Sequence, residues 1–139
     1  MTKNPNTNRK SGKDGGGTPT ESELKILRVL WEHGPISVRE VYERLIDSEG
    51  MGHTTVLKLM QIMTDKGLVE RDASVRPQLF RATRPKRQTQ RMLLRQLLDR
   101  AFSGSPGSLV LQALSMRKST EAELDEIRQL IDKLSEKDA

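Results

Sequence analysis

With 139 residues, 34% of them hydrophobic, and only one tryptophan, one tyrosine and two phenylalanines, the chain suits one compact domain plus an accessory element built from small helices rather than a large sheet. It has no cysteine, which excludes disulfides, thiolate metal centres and a cysteine nucleophile and is compatible with a reducing compartment. The net charge of +5 is unevenly spread: +3 over residues 1–20, −3 over 21–52, +7 over 53–100 and −2 over 101–139.

Residues 1–18, MTKNPNTNRKSGKDGGGT, show no apolar periodicity and read as a disordered basic tail. Lys3, Arg9, Lys10 and Lys13 either brush phosphates or simply solubilise it, and the second reading is the simpler. The glycines at 15–17 precede neither a strand nor a Gly-Lys-Ser/Thr step, so they are not a phosphate loop. No apolar run approaches the about 18 residues needed to cross a bilayer, and the amino terminus has no apolar signal core. The expectation is a soluble, cytoplasmic protein without membrane insertion.

Folded structure is expected from Thr20, where Thr20 and Glu23 match a capping box ahead of Leu24, Leu27, Leu30 and Trp31 at helical spacing. Gly34 and Pro35 break the chain, and a second box, Ser37 with Glu40, opens a helix carrying Val41, Tyr42 and Leu45. The stretch GHTTVLKLMQIMTDKGLVERDASVRPQLFRA, residues 52–82, then reads as a capped helix, a glycine stop at Gly67, and two short strands, 68–72 and 78–82, around a loop with a cationic tip. In that helix Val56, Leu59, Met60 and Met63 make one apolar stripe, leaving Thr54, Leu57, Lys58, Gln61 and Asp65 outward. Threonine, lysine and glutamine hydrogen-bond base edges and phosphates, and the single acid, Asp65, sits at the far end, away from any DNA.

The pattern then changes to a long helix over 86–102, in which Met92, Leu93, Leu97 and Leu98 alternate with Arg87, Arg91, Arg95 and Arg100; Gly104, Pro106 and Gly107 end it. A helix over 108–116 follows, and a third capping box, Thr120 with Glu123, starts the last one. There Leu124, Ile127, Ile131 and Leu134 form a heptad-like seam, joined by Leu109 and Leu111 from the helix before, too short for a coiled coil. Such thin helices have little intrachain core to cover them and need a partner; self-association is the simplest choice.

Helix, turn, helix, turn, helix, hairpin is the order of a winged helix-turn-helix. The expected fold is therefore mainly α with a small β-hairpin: a disordered tail over 1–18, a winged helix over 19–84 and a helical dimerisation domain over 85–137. The charge concentrated over 53–100 is the electrostatic footprint of a phosphate-binding surface when it coincides with this order, although charge alone equally describes a solvated face. The candidate DNA contacts are His53, Thr54, Thr55, Leu57, Lys58 and Gln61 on the reading helix, and Arg76, Arg81 and Arg84 on and beyond the wing. Two competing readings make distinct demands. A winged helix used as a protein-protein module would carry an apolar or acidic reading face and dispersed arginines. A nonspecific DNA binder would show affinity nearly independent of sequence.

Catalysis finds no support in the residues. His33 ends a helix, where it meets the dipole; His53 stands at a helix start, where it suits a phosphate contact; no HExxH-like spacing links them. The acids fall mostly in capping boxes and on helix surfaces. No enzyme activity, cofactor or metal is expected.

The segments TESELKILRVLWEHGPISVREV, HTTVLKLMQIMTDKGLVERD and SLVLQALSMRKSTEAELDEIRQLIDKL resemble the penicillinase repressor family, the BlaI/MecI/CopY type of bacterial transcriptional repressors, over about residues 19–136. The resemblance implies an amino-terminal winged helix and a carboxy-terminal helical dimerisation domain that binds dyad operators as a homodimer. Carried onto this chain, the recognition positions fall on Thr54, Thr55, Leu57, Lys58 and Gln61, and the wing on the turn around Arg76. Two departures bear on the signal. Copper-responsive members carry a carboxy-terminal cysteine cluster, absent here; beta-lactam-responsive members are cleaved at an Asn-Phe step after the Ser-Leu-Val-Leu element, whereas here Gln112 and Ala113 follow it. Relief of repression by a membrane sensor protease is thus implied by the family and not by the cleavage step itself. Leu57 stands where some relatives carry a basic residue, and leucine suits either a thymine methyl or a different operator preference.

Overall fold

The structure, a computed structural model, describes residues 17–138; residues 1–16 of the expected tail, with Lys3, Arg9, Lys10 and Lys13, lie outside the described residues. The first two helices begin where a side chain can satisfy the amides a helix start leaves open. Thr20 caps α1 (Glu21–His33): its hydroxyl accepts from the Glu23 amide at 3.1 Å, while the Glu23 carboxylate accepts from the Thr20 amide at 2.9 Å. Ser37 and Glu40 do the same for α2 (Val38–Glu49), at 3.2 and 3.0 Å. The start of α3 (His53–Lys66) departs from expectation, because its N-cap is Gly52 and no side chain caps it. It ends at Gly67, whose φ of 83° suits glycine and lets its amide donate to the carbonyls of Met63 and Thr64.

The hairpin pairs β1 (Val69–Asp72) with β2 (Leu79–Ala82) antiparallel, Val69 opposite Ala82 and Arg71 opposite Phe80. Each strand is one residue shorter than expected. At the first, Leu68 is shared between the helix stop and the hairpin: its amide donates to the Met63 carbonyl at 2.9 Å, and only its carbonyl faces the other strand, accepting from the Thr83 amide at 2.9 Å. The turn between α1 and α2 extends the sheet, since Ile36 and Phe80 exchange backbone hydrogen bonds of 3.1 and 2.8 Å.

Around these elements α1 packs on α2, α3 and β2, and α3 packs on α2 and β1. One apolar core results, drawn from Ile26, Leu27 and Leu30 of α1, Val41 and Leu45 of α2, Val56, Met60 and Met63 of α3, and Val69 and Phe80 of the hairpin. Each such side chain removed from water stabilises by about 1.5–3 kcal/mol. Trp31 donates its indole N–H to the Arg84 carbonyl at 2.9 Å, tying the end of α1 to the chain leaving the wing.

Three polar residues are buried among the described ones, Glu23, Ser37 and Thr89, and Glu23 alone of these carries a charge. Glu23, 2% exposed, accepts from both the Thr20 amide and Lys66 Nζ, the latter at 2.7 Å. A carboxylate out of water is tolerable only when so matched. The pair joins the first turn of α1 to the last turn of α3.

The described residues divide into two compact units, with the boundary between Leu93 and Leu94, inside α4 (Lys86–Ala101). In the second unit Ser105 caps α5 (Pro106–Met116) through the Ser108 amide at 3.2 Å. Pro106 does not merely end the preceding helix as expected. It begins the next, at the first helical position, where its missing N–H costs nothing. The third capping box forms as read: Thr120 and Glu123 exchange hydrogen bonds of 2.9 and 3.0 Å ahead of α6 (Glu121–Asp138). The protein is thus mainly helical with one small hairpin, a winged helix followed by further helices.

Replacing Glu23 with alanine removes the reciprocal half of the α1 capping box, the acceptor for the Thr20 amide, and strands Lys66, which is itself 30% exposed and so partly solvated. The expected cost is about 2–3 kcal/mol of stability. Glu23→Gln keeps an acceptor for the Thr20 amide and should cost less. Urea unfolding followed by Trp31 fluorescence checks both, and equal losses would show that the charge facing Lys66, and not the contact to the Thr20 amide, carries the stability.

Candidate nucleic-acid interface

Which residues of α3 are presented to solvent follows from which are buried. Val56, Met60 and Met63 are fully inside and Leu59 is partly so, which turns His53, Thr54, Thr55, Leu57, Lys58 and Gln61 outward. Lys58 and Gln61 sit about 4.5 Å apart along the axis, at 1.5 Å per residue, close enough to meet adjacent base pairs. Leu57 is 41% exposed, an apolar spot amid donors and acceptors. His53 packs edge-on against the Tyr42 ring, with centroids 5.3 Å apart. The Thr64 hydroxyl is committed to the Met60 carbonyl at 2.7 Å and has no spare donor for a ligand.

Between α3, the start of α2 and the hairpin lies a groove of about 370 Å³. Its walls include Arg39 of α2, Leu57, Gln61 and Asp65 of α3, and Arg71, Pro77 and Gln78 of the hairpin. Asp65, read from sequence as outward but at the far end of the helix and away from DNA, therefore lies beside this face. Arg71, Arg39 and Gln78 were not singled out from sequence. For Arg71 the signal was available: with Val69 inward, strand alternation turns Arg71 to the same side.

The hairpin's other cations hold the hairpin itself. Arg81 lies opposite Glu70 on the outer face and its guanidinium pairs with that carboxylate. Arg76 donates to the carbonyls of Ala73 and Val75 at 2.7 and 3.2 Å, closing the loop on itself. At the loop's start the Asp72 carboxylate accepts from the hydroxyl and the amide of Ser74, which hold its pKa below the ordinary value. Arg84 is half-buried, its carbonyl engaged by Trp31.

In the second unit, α5 has no buried residue. Of the expected seam, Leu109, Leu124 and Ile127 are half-buried while Leu111, Ile131 and Leu134 are exposed, Leu111 by 70%. Val110, Leu114, Met116 and Leu130 are exposed beside them. Among the described residues no group of three or more His, Asp or Glu side chains is placed to hold a metal ion, and no helix is long and apolar enough to cross a membrane.

Comparison with known proteins adds two findings. A family model described as "Penicillinase repressor" matches residues 19–133. The penicillinase repressor of Bacillus licheniformis is 20% identical over 113 residues, covering 81% of this chain and 88% of that protein.

Proposed function

The chain belongs to the penicillinase repressor family, and from that premise we propose that it is a sequence-specific DNA-binding transcriptional repressor that grips a palindromic operator as a homodimer. The observation that carries this reading is the outward face of α3: threonines, a lysine and a glutamine held out by a buried stripe on a helix whose one acid, Asp65, is near its end. An acidic or wholly apolar face would have favoured a protein partner instead.

In this reading α3 enters the major groove, with His53, Thr54, Thr55, Leu57, Lys58 and Gln61 toward DNA. Lys58 meets phosphate, Gln61 a base edge and Leu57 a thymine methyl. Arg76, Arg81 and Arg84 surround it with positive potential that raises the association rate. Residues 19–84 form the reading domain. Residues 85–137 join two chains through Leu109, Leu111, Leu124, Ile127, Ile131 and Leu134, which supports pairing because these helices leave so much apolar surface open within one chain. Proteolysis in this second region, by a membrane sensor protease, would separate the reading domains and relieve repression. The protein works in the cytoplasm, beside its operator.

Selection of bound sites from a random duplex library tests the reading directly. A palindromic consensus is the expected result, with half-sites about 34 Å apart or a multiple of that; capture without any consensus would mean a nonspecific binder. On the selected operator Lys58→Ala should weaken binding on every sequence, and Gln61→Ala should relax preference at one base position by about 1–3 kcal/mol.

Truncation after Phe102 separates the two roles. The shortened chain should stay folded, sediment as a monomer and bind a two-half-site duplex far more weakly than the full chain, because linked half-sites no longer reinforce one another. A truncated chain that remains dimeric at full affinity would overturn both the pairing and the mode of relief.

A further inference from the structure

A helix seated in the major groove and a hairpin beside it must straddle the sugar-phosphate ridge between two grooves. The concavity separating α3 from the hairpin is where that ridge has to lie. Its walls carry a cation that neither composition nor the family pattern had marked. Arg71 is cross-strand neighbour to Phe80, whose ring is buried in the core, so the two side chains leave the hairpin on the face turned toward the helices. Arg71 itself is exposed and lines the groove with Gln61 and Asp65.

The three hairpin arginines differ in what already holds them. Arg81 is paired with Glu70 and Arg76 is bonded to two carbonyls of its own loop. Arg71 makes no hydrogen bond or ion pair among the described residues, although Asp65 shares its groove. A guanidinium that gives up no internal partner keeps its full fork of donors for a phosphate.

Resting on the DNA-binding reading above, we propose that Arg71 is the hairpin's direct contact to DNA, binding a backbone phosphodiester seated in the groove between α3 and the hairpin. Arg76 and Arg81 act there as scaffold and background potential. Asp65 opposes the same phosphate and offsets part of the attraction, so the contact positions the chain without binding every duplex tightly.

The test titrates the full chain and its variants on a duplex carrying the selected operator and on a random duplex, at several salt concentrations. Arg71→Ala should lose about tenfold in affinity on both duplexes. The slope of log K against log salt should shrink by about 0.9 for each phosphate contact removed. Arg81→Ala should lose much less, Arg71→Lys should recover part of the loss, and Asp65→Asn should bind more tightly. Unfolding midpoints taken alongside separate these effects from misfolding; Asp65→Asn, which deletes no contact, reads the groove independently should Arg71→Ala fold poorly. Wild-type affinity and slope for Arg71→Ala, or a loss confined to the operator, would overturn the phosphate assignment while leaving DNA binding intact. Failure of the unaltered chain to bind either duplex would instead remove the reading on which the proposal rests.

Discussion

The burial of Val56, Met60 and Met63 is the constraint from which the rest of the reading unit follows. A helix has no preferred rotation about its own axis until one side of it is packed, and these three side chains set that rotation against α1, α2 and the hairpin. Every outward residue of α3 is then determined. Fixing the rotation leaves the axial position free, and here the Glu23–Lys66 pair holds the last turn of α3 to the capped first turn of α1. A binding surface needs its side chains held to within about 0.5 Å, and a rigid helix with both its rotation and its end anchored meets that demand.

The hairpin is held to the same platform by different means. Phe80 enters the core, the Ile36 bridge adds a third stretch of backbone, and Leu68 continues the helix stop directly into β1. Two of its arginines and both of its acids are used internally, Arg81 with Glu70 and Asp72 with Ser74, while Arg76 closes the loop. A two-stranded hairpin on its own is marginal in water. Its charged residues therefore act first on the hairpin's own shape, and only those turned to the groove are left for a ligand.

Legibility in the sequence tracked the range of the interactions. The boxes Thr20–Glu23, Ser37–Glu40 and Thr120–Glu123 span three residues each, so they were readable and all three form. The buried stripe of α3, the stop at Gly67 and the order of helices and hairpin were equally local patterns. Three features were not. The Glu23–Lys66 bond joins residues 43 apart, and nothing in the local pattern of either reveals the other. The pairing of Arg81 with Glu70 depends on strand register, so a cation read as a candidate DNA contact is also half of an ion pair. Asp65 was read as remote because it sits at the far end of α3, but the hairpin folds back beside it and makes it a wall of the groove.

The second unit obeys a different logic. Within one chain α5 buries none of its residues, and Leu130, Ile131 and Leu134 of α6 are each more than half exposed. Isolated helices shorter than about 12–15 residues are marginal in water, and α5 has 11. Its capping by Ser105 and its proline start help it begin but do not supply the packing that would keep it formed. On the dimeric reading, that packing comes from the second chain, so order in this unit and association of the chains are one equilibrium. The reading unit, with a core of its own, does not share that dependence. A cut or a dilution that separates the chains would then cost the second unit its order while leaving α3 and the hairpin intact, which gives the two units unequal sensitivity to the same event and makes the second the natural place for control.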